Sequence, residues 1–188
     1  MARGETALAV SAGQPMDGAV VSRPPLMIDG DSFRLAMRDL AGAVAILTTC
    51  AGDRRTGCTI SSLQCYSVAP PILLVSLGRD SSSARLIEES GRFGVSLLGN
   101  KMGDIAAGFA RPAVSSGEER FRHGRWAKLV ADGQWLADGA LAGFDCAVDE
   151  MIYRHSHVIV LGKVVAMATA AAADRPLLYW RQGYRELA

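Results

Sequence analysis

Residues 57–77 read GCTISSLQCYSVAPPILLVSL, and the fold turns on how this stretch is divided. Its first half is strand-like but crowded with hydroxyls, at Thr59, Ser61, Ser62, Tyr66 and Ser67. Its second half, PILLVSL, is the uninterrupted apolar run of a buried strand. Pro70 and Pro71 cannot donate ladder hydrogen bonds, so they sit between strands or at a strand start. Taken as one strand over 57–68, alternation puts Thr59, Ser61 and Ser67 on one face and Ser62 and Tyr66 on the other. Buried hydroxyls need partners. Any one of them finds a partner most simply in neighbouring backbone or in solvent. Five beside a proline stop suit a polar, ring-bearing ligand lying along the strand.

Working outward, DSFRLAMRDLAG predicts a helix capped by Asp31 or Ser32, with Phe33, Ala36, Met37 and Leu40 on one face and Gly42 closing it. AVAILTTC (43–50) reads as a buried strand that turns through AGDRRTG into the hydroxyl stretch. Beyond Leu77, GRDSSSARLIEES predicts a turn and a short helix, GRFGVSLLG a strand, and NKMGDIAAGFA a second helix. Residues 111–125 form a polar loop, LAGFDCAVDEMIY (141–153) and HVIVLGKVVAMA (157–168) are strands, and LLYWRQGYREL ends the chain. Six or seven strands with two or three short helices, joined as often by hairpins as by helices, predict an antiparallel barrel with peripheral helices. Residues 1–30, rich in Gly, Ala, Ser and Pro, read as a loosely ordered extension, and 31–188 as one domain.

The chain has 188 residues, 49% hydrophobic and 21% charged, with a net charge of +1. That is a soluble globular composition with no basic field for nucleic acid and no polybasic block for anionic lipid. The apolar stretch from Val158 to Ala173 is interrupted by Lys163 and falls short of a membrane span. Four cysteines, none in a C-x-x-C pair, read as buried reduced thiols of a cytoplasmic protein.

Chemistry is concentrated in four places. Arg79 ahead of Asp80–Ser83 offers a guanidinium beside a helix N-terminus, which is either a plain serine cap or an anion site. The hydroxyl stretch is the second place. His155 and His157, at i and i+2 of a strand, could share a side, but with only His123 besides there is no third metal ligand at useful spacing. LLYWRQGYREL sets aromatics beside Arg181 and Arg185, either a terminal strand with an aromatic plug or a stacking surface for a planar ligand. No dinucleotide fingerprint, phosphate loop, nucleophile elbow or H-E-x-x-H is present.

The order FRLAMRDLAGAVAILTT, GCTISSLQCYSVAPPILLVSL, GRFGVSLL, IAAGFA, LAGFDCAV, HVIVLGKVV and PLLYWRQGY resembles the short-chain flavin reductases, from about Phe33 to Leu187. The resemblance implies an FMN-binding split barrel, a homodimer, and reduction of FMN or FAD by NADH or NADPH, with reduced flavin passing to a partner flavin-dependent monooxygenase. It implies flavin contacts at Thr59, Ile60, Ser61, Ser62 and Ser67, continuing at Gly78 and Arg79. Ser83 and Ala84 would hold the phosphate end, and Ser96 and Phe109 fall at further flavin-side positions. His157 matches a histidine lining the nicotinamide side, and Tyr184 an aromatic near the same pocket. His155 and Ser156 replace the family's Gly-Asp, and Ser96 stands where many members have Asn. These departures leave room for a flavoprotein passing electrons to another acceptor such as a corrin. A non-enzymatic split barrel holding flavin or haem is the other alternative.

Overall fold

The computed structural model describes residues 28–110, 117–170 and 175–187. The extension expected at the N-terminus, part of the 111–125 loop and the turn at 171–174 therefore fall largely outside the described residues.

Seven antiparallel strands make the main sheet. In chain order they are β2 (Ala45–Ala51), β3 (Arg54–Ile60), β4 (Gln64–Val68), β5 (Pro71–Gly78), β6 (Arg92–Leu97), β9 (Ala142–Arg154) and β10 (His157–Thr169). Across the sheet the order is β3-β2-β6-β9-β10-β5-β4. The two outermost strands, β3 and β4, are thus consecutive in sequence and joined only by residues 61–63. So short a link spans at most about 14 Å, which forces the sheet to curl until its edges approach. β3 and β4 do not pair, so the barrel stays open between them.

β2 explains its own uninterrupted apolar run. Ala45 and Leu47 point into one buried cluster with Ile60, Val75, Phe93, Val95, Val158 and Val160, the barrel interior. Val44 and Ile46 point into a second cluster with Leu98, Ala106, Phe109 and Phe121. A strand covered on both faces has no reason to alternate. Helix α2 (Ser82–Ser90) is capped by Ser81, whose hydroxyl accepts from the Ala84 amide, and ends at Gly91 in a left-handed conformation. Its Ala84 and Ile87 join the barrel interior.

Helix α3 (Gly103–Ala110) covers the outer face of β2 and β3 through Ala106 and Phe109. A Cβ on Gly57 would lie 2.5 Å from the Leu47 carbonyl oxygen and 2.9 Å from the Phe109 ring, so only glycine lets the helix approach this closely. A small sheet of β1 (Gly42–Ala43), β11 (Leu178–Trp180) and β12 (Gly183–Arg185) holds the C-terminal hairpin against the segment just before β2. A two-stranded ribbon, β7 (Trp126–Ala127) with β8 (Leu136–Ala137), and a single turn, α4 (Gly117–Arg120), lie in the long connection.

Four expectations are corrected. The hydroxyl stretch is not one strand: it breaks at 61–63 into β3 and β4, so the two-face assignment of its side chains fails beyond Ile60. The first helix is α1 (Gly30–Ala36) followed by a tighter turn at Met37–Asp39. Its cap is Asp29, whose carboxylate accepts from the Asp31 and Ser32 amides, and none of its residues is buried. His155 is not on a strand but in the turn between β9 and β10, with φ at 49°, so the i, i+2 geometry with His157 does not arise. The cysteines are all free, but only Cys146 is buried: Cys50 and Cys58 are half-buried and Cys65 is exposed on the edge strand.

Candidate active site

The C-terminal end of β3 opens onto a cleft of about 180 Å³. Thr59, Ile60 and Ser61 form one wall, Tyr179 and Tyr184 from the β11–β12 hairpin another, with Ala110 of α3 at the rim. Four of the residues picked from the sequence, Thr59, Ile60, Ser61 and Tyr184, are therefore brought to one space by three separate elements.

The hydroxyls differ in what they can still do. Thr59 Oγ1 donates to the Ala106 carbonyl at 2.6 Å, so towards a ligand it can only accept. Ser62 Oγ donates to the Ser76 carbonyl at 2.9 Å and accepts from the Ser76 amide at 3.2 Å. This hydroxyl replaces the missing ladder partner where the chain crosses from one sheet edge to the other. Ser61 has no such engagement among the described residues, and it is exposed in the cleft. Burial, and then the neighbouring Tyr179, push the Tyr184 phenol above its usual value, so it stays protonated and can donate.

A second group gathers where β5 meets β10. Gly78 is the register partner of His157. The Arg79 amide donates to the Ser156 carbonyl at 3.0 Å and its Nη1 to the His155 carbonyl at 3.2 Å. This binds the start of the α2 turn to the β9–β10 turn and leaves the rest of the guanidinium open. Ser156 Oγ lies 2.9 Å from His157 Nδ1, which fixes the exposed imidazole in orientation. The Arg79 guanidinium sits 5.9 Å from the Tyr153 ring centre.

A third set is buried. Ser96 accepts from the Ala137 amide at 2.9 Å in the sheet interior. Phe109 packs edge-on to Phe121 at 5.3 Å and against Trp126 at 5.0 Å. Ser83 and Ala84 lie on the buried face of α2, with the Ser83 hydroxyl on the Cys58 thiol. Burial raises that thiol above its ordinary value, so Cys58 is no ready nucleophile. Ser67 is half-buried on β4 opposite Ile72. The sequence reading missed Val44 and Ala110 at the cleft. Only their position beside β3 makes them part of it, and no local pattern marks them.

The model of the flavin reductase-like domain matches residues 37–188. The chain belongs to the flavin reductase-like family. Among relatives of this flavin reductase-like protein is a flavin reductase (NADH) of Kitasatospora aureofaciens, 35% identical over 85% of this chain and 83% of its own. Another is the FMN reductase (NADH) RutF 1 of Methylorubrum extorquens, 38% identical over 85% of this chain and 78% of its own. Among solved structures, the styrene monooxygenase flavin reductase of Pseudomonas putida superposes with a TM-score of 0.74 at 28% identity, over 84% of this chain and 97% of that one. The antiparallel, unclosed sheet is the split barrel the sequence resemblance implies. No helix among the described residues is long and apolar enough to cross a membrane.

Proposed function

We propose that this protein is an NADH-dependent flavin reductase that supplies reduced FMN or FAD to a flavin-dependent monooxygenase component. The observation that carries the reading is the cleft at the end of β3, where a lone acceptor and a free hydroxyl on one wall share a space with a protonated phenol and a second tyrosine, with α3 at the rim. Such a donor and acceptor set suits the edge of a flavin ring. The flavin, when bound, supplies the redox chemistry, accepting hydride from the nicotinamide.

The chain's own residues bind and orient. Thr59 accepts from a ring N–H, Ser61 and Tyr184 donate to ring oxygens, and Tyr179 shields the ring from water. From this cleft β3 leads back towards Thr56 and Cys58, which lie against Ser82 and Ser83 at the start of α2. The phosphate end of the flavin is assigned there, with the free arms of Arg79 as its counter-charge. His157, held by Ser156, orients the nicotinamide rather than donating a proton. Positioning is all the reaction asks of the protein.

A homodimer is part of the reading. Val68 is 82% exposed, Val165 51% and Met167 58%, at the end of the sheet where β10 outruns β5. An anaerobic assay of NADH oxidation with FMN, FAD and riboflavin tests the function. Turnover that requires added flavin is expected. No oxidation above the protein-free rate with any of the three would overturn it.

A further inference from the structure

Arg34, Arg54, Arg55, Arg92, Arg125 and Arg181 each pair with a carboxylate. Arg79 is fastened differently, and makes no ion pair among the described residues. Its amide donates to the Ser156 carbonyl at 3.0 Å and its Nη1 to the His155 carbonyl at 3.2 Å. These two bonds fasten a turn in which His155 has a φ of 49°, a conformation that a non-glycine residue keeps only where its surroundings hold it. The guanidinium also lies 5.9 Å from the Tyr153 ring centre, within cation–π reach. A carbonyl and an aromatic face hold a guanidinium in place without cancelling its charge. Arg79 is thus oriented and still fully cationic.

Tyr153 touches both this cation and a carboxylate. Half-buried near the end of β9, it packs against the barrel interior. Its phenol is hydrogen-bonded to Glu88 of α2. Burial, and then Glu88, push the phenol above its ordinary value, so it stays protonated and donates to the carboxylate. If the phenol is removed, Glu88 loses its donor, and Arg79 is the cation beside the same ring.

We propose that Tyr153 is a positioning residue for phosphate recognition: it holds Arg79 against its ring and keeps the Glu88 carboxylate occupied, so that the chain takes phosphorylated flavins in preference to riboflavin. The proposal rests on the flavin reading and on Arg79 as the counter-charge to the flavin's phosphate. Tyr153 itself touches no ligand. It acts by keeping the charge of Arg79 in place and unspent.

The test titrates FMN and riboflavin, by flavin fluorescence, into the wild-type chain, Tyr153→Phe, and Tyr153→Phe combined with Glu88→Gln. The phenylalanine keeps the ring and loses only the phenol. Tyr153→Phe is expected to weaken FMN about tenfold and leave riboflavin unmoved, because the released Glu88 pairs with Arg79. Adding Glu88→Gln is expected to restore most of the FMN affinity, which a merely structural loss would not allow. Equal weakening of both flavins, no weakening of FMN, or no recovery in the double variant would overturn the proposal. Should the wild-type chain oxidise no NADH with any flavin, the flavin reading falls. The shift of the Arg79 Nε–H on adding inorganic phosphate, read by NMR in the wild type against Tyr153→Phe, then still decides whether Tyr153 keeps that guanidinium open to phosphate.

Discussion

Single hydroxyls in this protein do different work, and substitution separates them. Thr59 both ties α3 to β3 and presents an acceptor to the cleft. Thr59→Val is expected to raise the KM for flavin and to destabilise by about 1 kcal/mol, because the Ala106 carbonyl loses its donor. Ser96 is different: its hydroxyl holds a buried amide and reaches no cleft. Ser96→Ala is expected to cost about 1–3 kcal/mol in urea unfolding with the flavin KM unchanged. A raised KM at unchanged stability would instead make Ser96 a ligand residue. The thiols also divide. Burial first, and then the adjacent Asp145 carboxylate, push the Cys146 thiol up to about 12. The unfolded thiol ionises near 9, so above that pH the unfolded chain binds fewer protons than the folded one. Stability is therefore lost as pH rises from 9 towards 12, by up to ~1.4 kcal/mol per pH unit from this group. Urea unfolding at pH 8 and 10.5 is expected to show a shallower alkaline loss in Cys146→Ala than in the wild type.

At the scale of elements, local pattern fixed most of what is regular. The apolar runs of β2, β5 and β10, the serine cap of α2 and the proline pair at the start of β5 are all legible because each depends on neighbours in sequence. The break at 61–63 was not legible. No glycine or proline marks it, and its cause is the approach of two sheet edges that are distant across the barrel but adjacent in the chain. For the same reason the hydroxyl stretch was readable as ligand-facing while the roles of its members were not. Whether Ser62 faces a ligand or clasps Ser76 depends on where β5 lies. The exposure of Phe33 and Leu35 on α1 likewise has no local sign, since an amphipathic pattern announces a face but not its cover. Gly57 shows how tightly elements constrain the cleft. Gly57→Ala would drive a Cβ into the Leu47 carbonyl and Phe109, displacing α3 and with it Ala106 and Ala110. A loss of several kcal/mol in thermal or urea unfolding is expected, with weakened flavin binding at temperatures where the variant stays folded.

At the scale of the whole molecule, the described residues leave one end of the main sheet uncovered. β10 pairs with β5 only as far as Lys163, opposite Ile72, and then runs on to Thr169 beside β9 alone. Val165 and Met167 lie on that overhang, and Val68 ends the neighbouring edge strand β4 beside Pro71. Under the proposed homodimer these exposed apolar side chains are the surface that the second copy covers. A second copy is the economical cover, because a two-fold contact lets each overhang lie across the other's edge strand and protects β4 from open-ended pairing. Val165→Lys with Met167→Lys places four like charges at such a contact when two copies meet. Sedimentation at micromolar concentration is expected to give a dimer for the wild type and a monomer for the double variant, with the monomer's unfolding midpoint lowered by loss of mass-action support. A wild-type chain that sediments as a monomer, or a double variant that remains dimeric, would move the contact elsewhere or remove it.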